Sequence, residues 1–318
     1  MARKIYDVHS HFVTKEYFDA VRDNFFTEDG FPLVSTWTAE AHLDFVEQAG
    51  IDWSLLSMSS PHPHYHNDKK CIGLMRRMNE EIADLKRKYP DKFGFAAALP
   101  HPNNDAALEE AIYALDELGA DAIKLASNSR GLYMGDPAME PLFEELNKRN
   151  TVIIMHPQRP AQISEDVFSA AVAPMFEFVC DSTRAVLNVI ANGVLERYPN
   201  IKLVVPHNGS FLPNLYPRLK LIMELLAKQD IVDPIDVEKS YAKLYFDTSG
   251  NPNPNTEFLL TCANPKQIMY GSDFPFTPGP TCIKMLESTK EYFANNEKIA
   301  PYQDDIFSDT CKQLFNLD

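Results

Sequence analysis

The sequence predicts an α/β protein folded as a single (β/α)8 TIM barrel over residues 1–318. Two observations carry that expectation. Short apolar runs alternate along the whole chain with longer stretches of helical periodicity, and there are eight such runs. Histidines and an aspartate recur where the runs stop, which in a barrel is the rim where all the strands end together. A doubly wound open sheet is the competing arrangement, but no Gly-x-Gly-x-x-Gly follows the first run.

The first run covers 5–8 and leads into His9 and His11. Alternation along a strand points these two side chains the same way. The other strand-like runs fall at 53–58, 93–99, 122–125, 152–155, 202–205, 244–247 and 267–270. Helical patterns lie between them at 39–48, 68–88, 139–149, 183–197, 212–227, 255–261 and 280–295, with 304–315 as a closing helix. Before the fourth strand, Ala107, Leu108, Ala111, Ile112, Leu115 and Leu118 make one apolar stripe at helical spacing. Gly50, Gly119 and Asn150 follow periodic stretches as helix-stopping residues do. Two long connections, 12–37 and 157–181, fall on the C-terminal side of the strands.

The chain carries 45 acidic against 30 basic side chains, a net charge of −15. That balance argues against a nucleic-acid partner, because phosphate binding needs a basic face. An anionic substrate needs a local positive centre, either a metal or an arginine. A hydrophobic fraction of 45% supplies a large core without cross-links. Five scattered cysteines, an odd number without Cys-x-x-Cys spacing, and a first strand with no apolar leader before it predict reduced thiols in a cytoplasmic protein. No apolar run approaches the ~20 residues that a membrane span needs.

His9 and His11 end the first strand, His156 the fifth, His207 the sixth and Asp273 the eighth. A barrel brings these distant positions to one mouth. Three histidines and a carboxylate suit one divalent cation, zinc foremost and manganese as the alternative, with a position left for water or substrate. One of the four histidines is then spare for proton transfer, close to its ordinary pKa of ~6.5.

These motifs give the chain a resemblance to the amidohydrolase superfamily. Within it, the chain resembles the branch of aminocarboxymuconate-semialdehyde decarboxylase and the 2-hydroxybenzoate-type decarboxylases. The carrying stretches are Asp7-Val8-His9-Ser10-His11-Phe12, Met155-His156-Pro157, His207-Asn208-Gly209 and Tyr270-Gly271-Ser272-Asp273-Phe274-Pro275. Trp37-Thr38-Ala39-Glu40-Ala41-His42-Leu43, Leu56-Ser57-Met58-Ser59-Ser60-Pro61, Lys92-Phe93-Gly94-Phe95-Ala96 and Asp181-Ser182-Thr183-Arg184-Ala185 are similar to 6-methylsalicylate decarboxylases. The resemblance implies that His9, His11, His156 and Asp273 hold one metal and that His207 beside it handles the proton. It also implies a homodimer in which Arg218 reaches the substrate carboxylate in the partner. Two departures matter. Asn208 stands in what is often His-Gly-Gly, which reshapes the substrate floor. His42 stands where the semialdehyde decarboxylase has a second substrate arginine, which favours a small monocarboxylic acid.

The implied reaction is non-oxidative decarboxylation of an aromatic, 2-hydroxybenzoate-like acid. A proton from His207, or from a water activated at the metal, adds to the carboxylate-bearing carbon, and loss of CO2 restores aromaticity. The alternative is metal-dependent hydrolysis of an amide, ester or lactone, with His207 or Asp273 handling protons. Lys124 supports that alternative, because dinuclear superfamily members carry a carboxylated lysine on the fourth strand; an ordinary pocket lysine is its other reading. Phe12, Phe25, Phe26, Phe31, Trp37 and Tyr65 are candidates to flank a planar ring. His62, His64 and His66 alternate in the loop after the second strand, which reads as a solvated loop, with a lid or substrate-contact loop and a second metal site as the alternatives. Asp181 and Arg184 are candidates for substrate contact, but Asp181 also falls where a helix N-cap would be, and both stay outside the catalytic set.

Overall fold

The computed structural model describes residues 3–22, 37–63, 68–164, 166, 172–250 and 252–317. Eight parallel strands follow one another in chain order around a barrel. They are β1 (Tyr6–Phe12), β2 (Trp53–Met58), β3 (Phe93–Ala98), β4 (Ala122–Ala126), β7 (Val152–His156), β8 (Lys202–Val205), β9 (Tyr245–Asp247) and β10 (Ile268–Met269). A two-stranded antiparallel hairpin, β5 (Asn128–Ser129) and β6 (Leu132–Tyr133), projects beyond β4. The barrel closes where Val8 N–H donates to the Tyr270 carbonyl at 3.0 Å and His11 N–H to the Phe274 carbonyl at 2.7 Å. The predicted fold class is therefore the observed one.

Alternate residues of the strands fill the barrel: Tyr6, Val8, Leu55, Ala96, Ile154 and Met269 pack together, and Cys311 and Phe315 of the closing helix join them. A larger apolar cluster lies between the strands and the surrounding helices. The β1–β2 pairing slips between Asp7 and Ser10. Tyr6 and Val8 face the apolar filling, yet it is His9 and His11 that gather with His156. A bulge of this kind re-aims side chains beside active sites. Here it changes the inward set from even to odd positions.

Some local expectations need correction. The helix read at 183–197 begins earlier, as Glu177–Ala191, and breaks at Asn192-Gly193 before a short turn, Val194–Arg197. Gly193 adopts φ +63°, a left-handed conformation that glycine takes without steric cost. Asp181 is therefore not an N-cap; it lies inside the helix and is fully buried. The hairpin and two short helices, Lys15–Val21 and Val237–Tyr241, were not anticipated, being too short for a periodic signal. The stretch read as a closing helix opens with a π turn at Asp305–Asp309 before Thr310–Phe315. Gly50, Gly119 and Asn150 do stand in left-handed backbone. All five cysteines are free. Among the described residues, no helix is long and apolar enough to cross a membrane.

Candidate metal centre

His9 and His11 come from β1 and His156 from the last position of β7. Their ligand atoms all lie within 4.8 Å of one another, and all three side chains are buried. Each ring is oriented from behind. His9 Nδ1 meets Asp247 Oδ2 at 2.8 Å, His11 Nδ1 meets the Ser57 carbonyl at 3.2 Å, and His156 Nδ1 meets the Pro157 carbonyl at 2.9 Å. An ionised carboxylate or a carbonyl only accepts, so each Nδ1 carries the hydrogen and each Nε2 keeps its lone pair. His9 Nε2 is buried and has no hydrogen-bond partner. Three converging imidazole lone pairs, one of them orphaned, fit a divalent cation.

Asp273 closes the site from the other side, its Oδ1 lying 3.2 Å from His11 Nε2 and 3.7 Å from His9 Nε2. His207 lies beside them, its ring centroid 5.2 Å from that of His9 and 6.4 Å from that of His156. Both residues stand in left-handed backbone, Asp273 at φ +62° and His207 at +57°. Such conformations persist when surrounding bonds impose them. Asp273 N–H donates to the His9 carbonyl at 2.8 Å, and His207 N–H donates to Asp247 Oδ1 at 3.1 Å.

Electrostatics follow from burial. Burial depresses His11, and it depresses His156 further, with His11, His9 and Lys124 adding to the effect. Burial and the neighbouring His9 bring His207 down to about 4. Burial would depress His9 too, but Asp247, then Asp273 and Asp7, reverse this and raise it to about 9. Burial would raise Asp247, but His9 outweighs it and holds Asp247 at about 2.

Asp247, which bonds the His9 ring and the His207 backbone, is a supporting residue that the structure adds to the set read from the sequence. The signal was present, because it ends a strand as His156 does and as a barrel ligand should. Asn208 also stands in left-handed backbone, φ +53°. Its Oδ1 accepts from Thr256 Oγ1 at 3.0 Å, and its Nδ2 donates to the Ser249 carbonyl at 3.4 Å. The departure from His-Gly-Gly thus ties the floor to the segment after β9.

His207, His156 and Asp273 open onto a cavity of about 290 Å³. Ser59, Ser60, Asn255 and Gly250 give it polar walls, and Phe178 and Phe276 give it aromatic ones. Two predicted substrate contacts are not brought to it. His42 is fully buried among Phe45, Phe93 and Phe274, and its Nδ1 accepts from Trp37 Nε1 at 3.2 Å. Arg218 is exposed on the helix Leu212–Ala227. Lys124 is buried in β4, where it pairs in register with Ile154 of β7. His62 is buried, with Nε2 2.9 Å from the Leu99 carbonyl. His64, His66, Tyr65, Phe25, Phe26 and Phe31 lie outside the described residues.

A barrel whose strand ends present three histidines and an aspartate is the architecture of metal-dependent amidohydrolases. The amidohydrolase family model matches residues 6–317, and the chain belongs to that family. It is 31% identical to the decarboxylase YanB of Aspergillus niger, over 97% of this chain and 86% of the relative. It is 29% identical to the 6-methylsalicylic acid decarboxylase of Penicillium expansum, over 90% of this chain and 89% of that one. These relatives place it in the decarboxylase branch, among the carboxy-lyases. The dihydroxybenzoic acid decarboxylase of Polaromonas, solved with bound manganese and 2-nitroresorcinol, shares the fold at a TM-score of 0.84. That likeness covers 99% of this chain and 98% of the other at 18% identity.

Proposed function

We propose that this protein is a metal-dependent, non-oxidative decarboxylase of a small 2-hydroxybenzoate-like acid. One observation carries the reading: three buried imidazoles whose ligand atoms lie within 4.8 Å of one another, faced by Asp273 and flanked by His207, at a cavity with aromatic walls. His9, His11, His156 and Asp273 would hold one divalent ion, which when bound supplies a positive centre for the substrate's oxygens. Manganese in the Polaromonas relative makes it the first ion to test beside zinc.

The residues of the chain do the rest. Phe178 and Phe276 offer faces to a planar ring, and Ser59, Ser60 and Asn255 offer hydrogen bonds at its edge. Because His207 is depressed to about 4, it meets the substrate neutral, able to accept a proton at one ring nitrogen and donate from the other. Its Nδ1 is buried without a hydrogen-bond partner. In this reading His207 takes a proton from solvent water at one ring nitrogen as it gives the proton on the other to the ring carbon that bears the carboxylate. The carbon–carbon bond then breaks, its electron pair restores the aromatic ring, and CO2 leaves. No oxidant or reductant is consumed.

Among the described side chains lining the cavity there is no lysine or arginine. This supports a substrate with a single carboxylate. A homodimer remains part of the proposal: Arg218 shares its helix with exposed Leu221, Ile222 and Leu225, an apolar face suited to a second copy. Light scattering is expected to give twice the chain mass, and an active monomer would remove the shared-arginine reading.

The deciding experiment is metal analysis of the purified protein followed by assay of CO2 release from 2-hydroxybenzoates. One zinc or manganese per chain with turnover is the expected result. Two metals per chain, with hydrolysis of amides or lactones, would replace it with the hydrolase reading and bring Lys124 into the site.

A further inference from the structure

Ser127 follows β4 directly and grips the turn after His156 on both sides. Its backbone N–H donates to the His156 carbonyl at 2.9 Å, and its Oγ accepts from Gln158 N–H at 2.9 Å. Between these two bonds lies Pro157, whose carbonyl orients the His156 ring through Nδ1. The Ser127 hydroxyl has one proton, and it goes to Asp181 Oδ2. That commitment turns the oxygen lone pairs toward Gln158.

Asp181 is fully buried and accepts from four side chains. Its Oδ2 serves Ser127 and also Asn128 Nδ2, at 2.7 Å. Its Oδ1 serves Tyr133 Oη at 2.6 Å and Arg184 at 2.9 Å. Gln158 extends the frame, since its Oε1 accepts from His62 N–H at 3.2 Å on the loop that follows Ser59 and Ser60. A buried carboxylate with this many donors is satisfied, and it is rigid for the same reason.

We propose that Asp181 is a positioning residue for the metal centre: through Ser127 it fixes the 156–158 turn and hence the direction of the His156 Nε2 lone pair. The proposal rests on the reading of His9, His11 and His156 as metal ligands. It places Asp181 two hydrogen-bonded steps behind a ligand, in the outer support that tunes metal affinity.

The two oxygens of Asp181 make the proposal testable, because only Oδ2 leads to His156. Metal-free wild type, Ser127→Ala, Ser127→Thr, Asp181→Asn and Tyr133→Phe are titrated with Mn²⁺ by electron paramagnetic resonance. The visible absorption of their Co²⁺ forms and their melting temperatures are recorded alongside. Ser127→Ala is expected to bind Mn²⁺ about tenfold more weakly and to change the Co²⁺ spectrum. Asp181→Asn should do the same, since an amide accepts at one end only and cannot serve both pairs of donors. Ser127→Thr should restore both readouts. Tyr133→Phe should lower the melting temperature while keeping wild-type affinity and spectrum.

Wild-type affinity and spectrum in Ser127→Ala would overturn the proposal, whatever its melting temperature. Equal weakening by Tyr133→Phe would also overturn it, by showing general loosening rather than positioning. If Asp181→Asn does not fold, the Ser127→Ala and Ser127→Thr pair decides alone. A wild-type protein that takes up neither ion would overturn the metal reading and this proposal with it.

Discussion

The two sides of the site are built differently. His9, His11 and His156 stand on strands, in extended backbone, with each ring aimed by an acceptor behind it. His207 and Asp273 stand on turns, in left-handed backbone, held there by backbone hydrogen bonds to Asp247 and to the His9 carbonyl. A non-glycine residue in that region costs roughly 1–3 kcal/mol and persists only where its surroundings impose it. The three rings on strands are therefore each aimed by an acceptor behind them, whereas His207 and Asp273 depend on a few backbone bonds. Asp247 touches both, bonding the His9 ring through one oxygen and the His207 backbone through the other.

Substitutions should separate the two sides. The largest expected effect is at His207. His207→Ala should lose activity by about 10²–10⁴-fold while keeping its metal; wild-type turnover on the substrate that the wild type decarboxylates would remove His207 from the reaction. Asp247→Asn should merge the two sides, lowering metal affinity about 10–100-fold and activity as well. An unchanged dissociation constant for Mn²⁺ would show that His9 needs no carboxylate behind it.

Two glycines give a finer contrast. A Cβ at Gly271 would lie 2.7 Å from the Cβ of His9, too close to tolerate. Gly271→Ala should cost roughly 1–3 kcal/mol in denaturant unfolding and weaken metal binding. Gly250 has φ +83°, and a Cβ there would lie 3.9 Å from His207 Cδ2. Gly250→Ala should cost about 1–2 kcal/mol from backbone strain and lower turnover, with metal affinity preserved. The same loss of metal in both variants would erase the distinction between the sides.

The smallest effect lies outside both. Burial, with His11 nearby, depresses His42 to about 3 in the folded protein. A histidine with a lowered folded value stabilises above its unfolded pKa of ~6.5 and loses that stability as pH falls toward the folded value. At pH 5.5 the loss is about 1.4 kcal/mol. His42→Phe should flatten the acid side of the stability profile by about that amount, and an unaltered slope would mean that His42 already carries a proton in the fold.

Much of this was legible in one dimension. Apolar runs separated by helical stripes marked the barrel, because each strand is buried on both faces and each helix on one. His9, His11, His156, His207 and Asp273 were found by where they fall, at the ends of runs. Asp247 also ends a strand, but a lone aspartate there carries no sequence mark that separates support of a histidine ring from an ordinary strand end. An acid before a helical stretch reads as a cap, which is what the sequence around Asp181 suggests. Its true setting depends on Ser127, Asn128 and Tyr133, more than forty residues away in sequence.

The sequence by itself determined that His9, His11, His156, His207 and Asp273 would converge, since strand ends in a barrel meet whatever fills the loops; it did not determine the places of His42, Arg218 or Asp247. It could not determine how they are aimed. The β1 bulge that turns His9 and His11 inward depends on pairing with β2 and on the closure of the barrel against residues 270–274. The left-handed turns under His207 and Asp273 depend on acceptors supplied by other strands. Direction belongs to the tertiary structure because a hydrogen bond to a distant strand outweighs the weak conformational preference of any single residue.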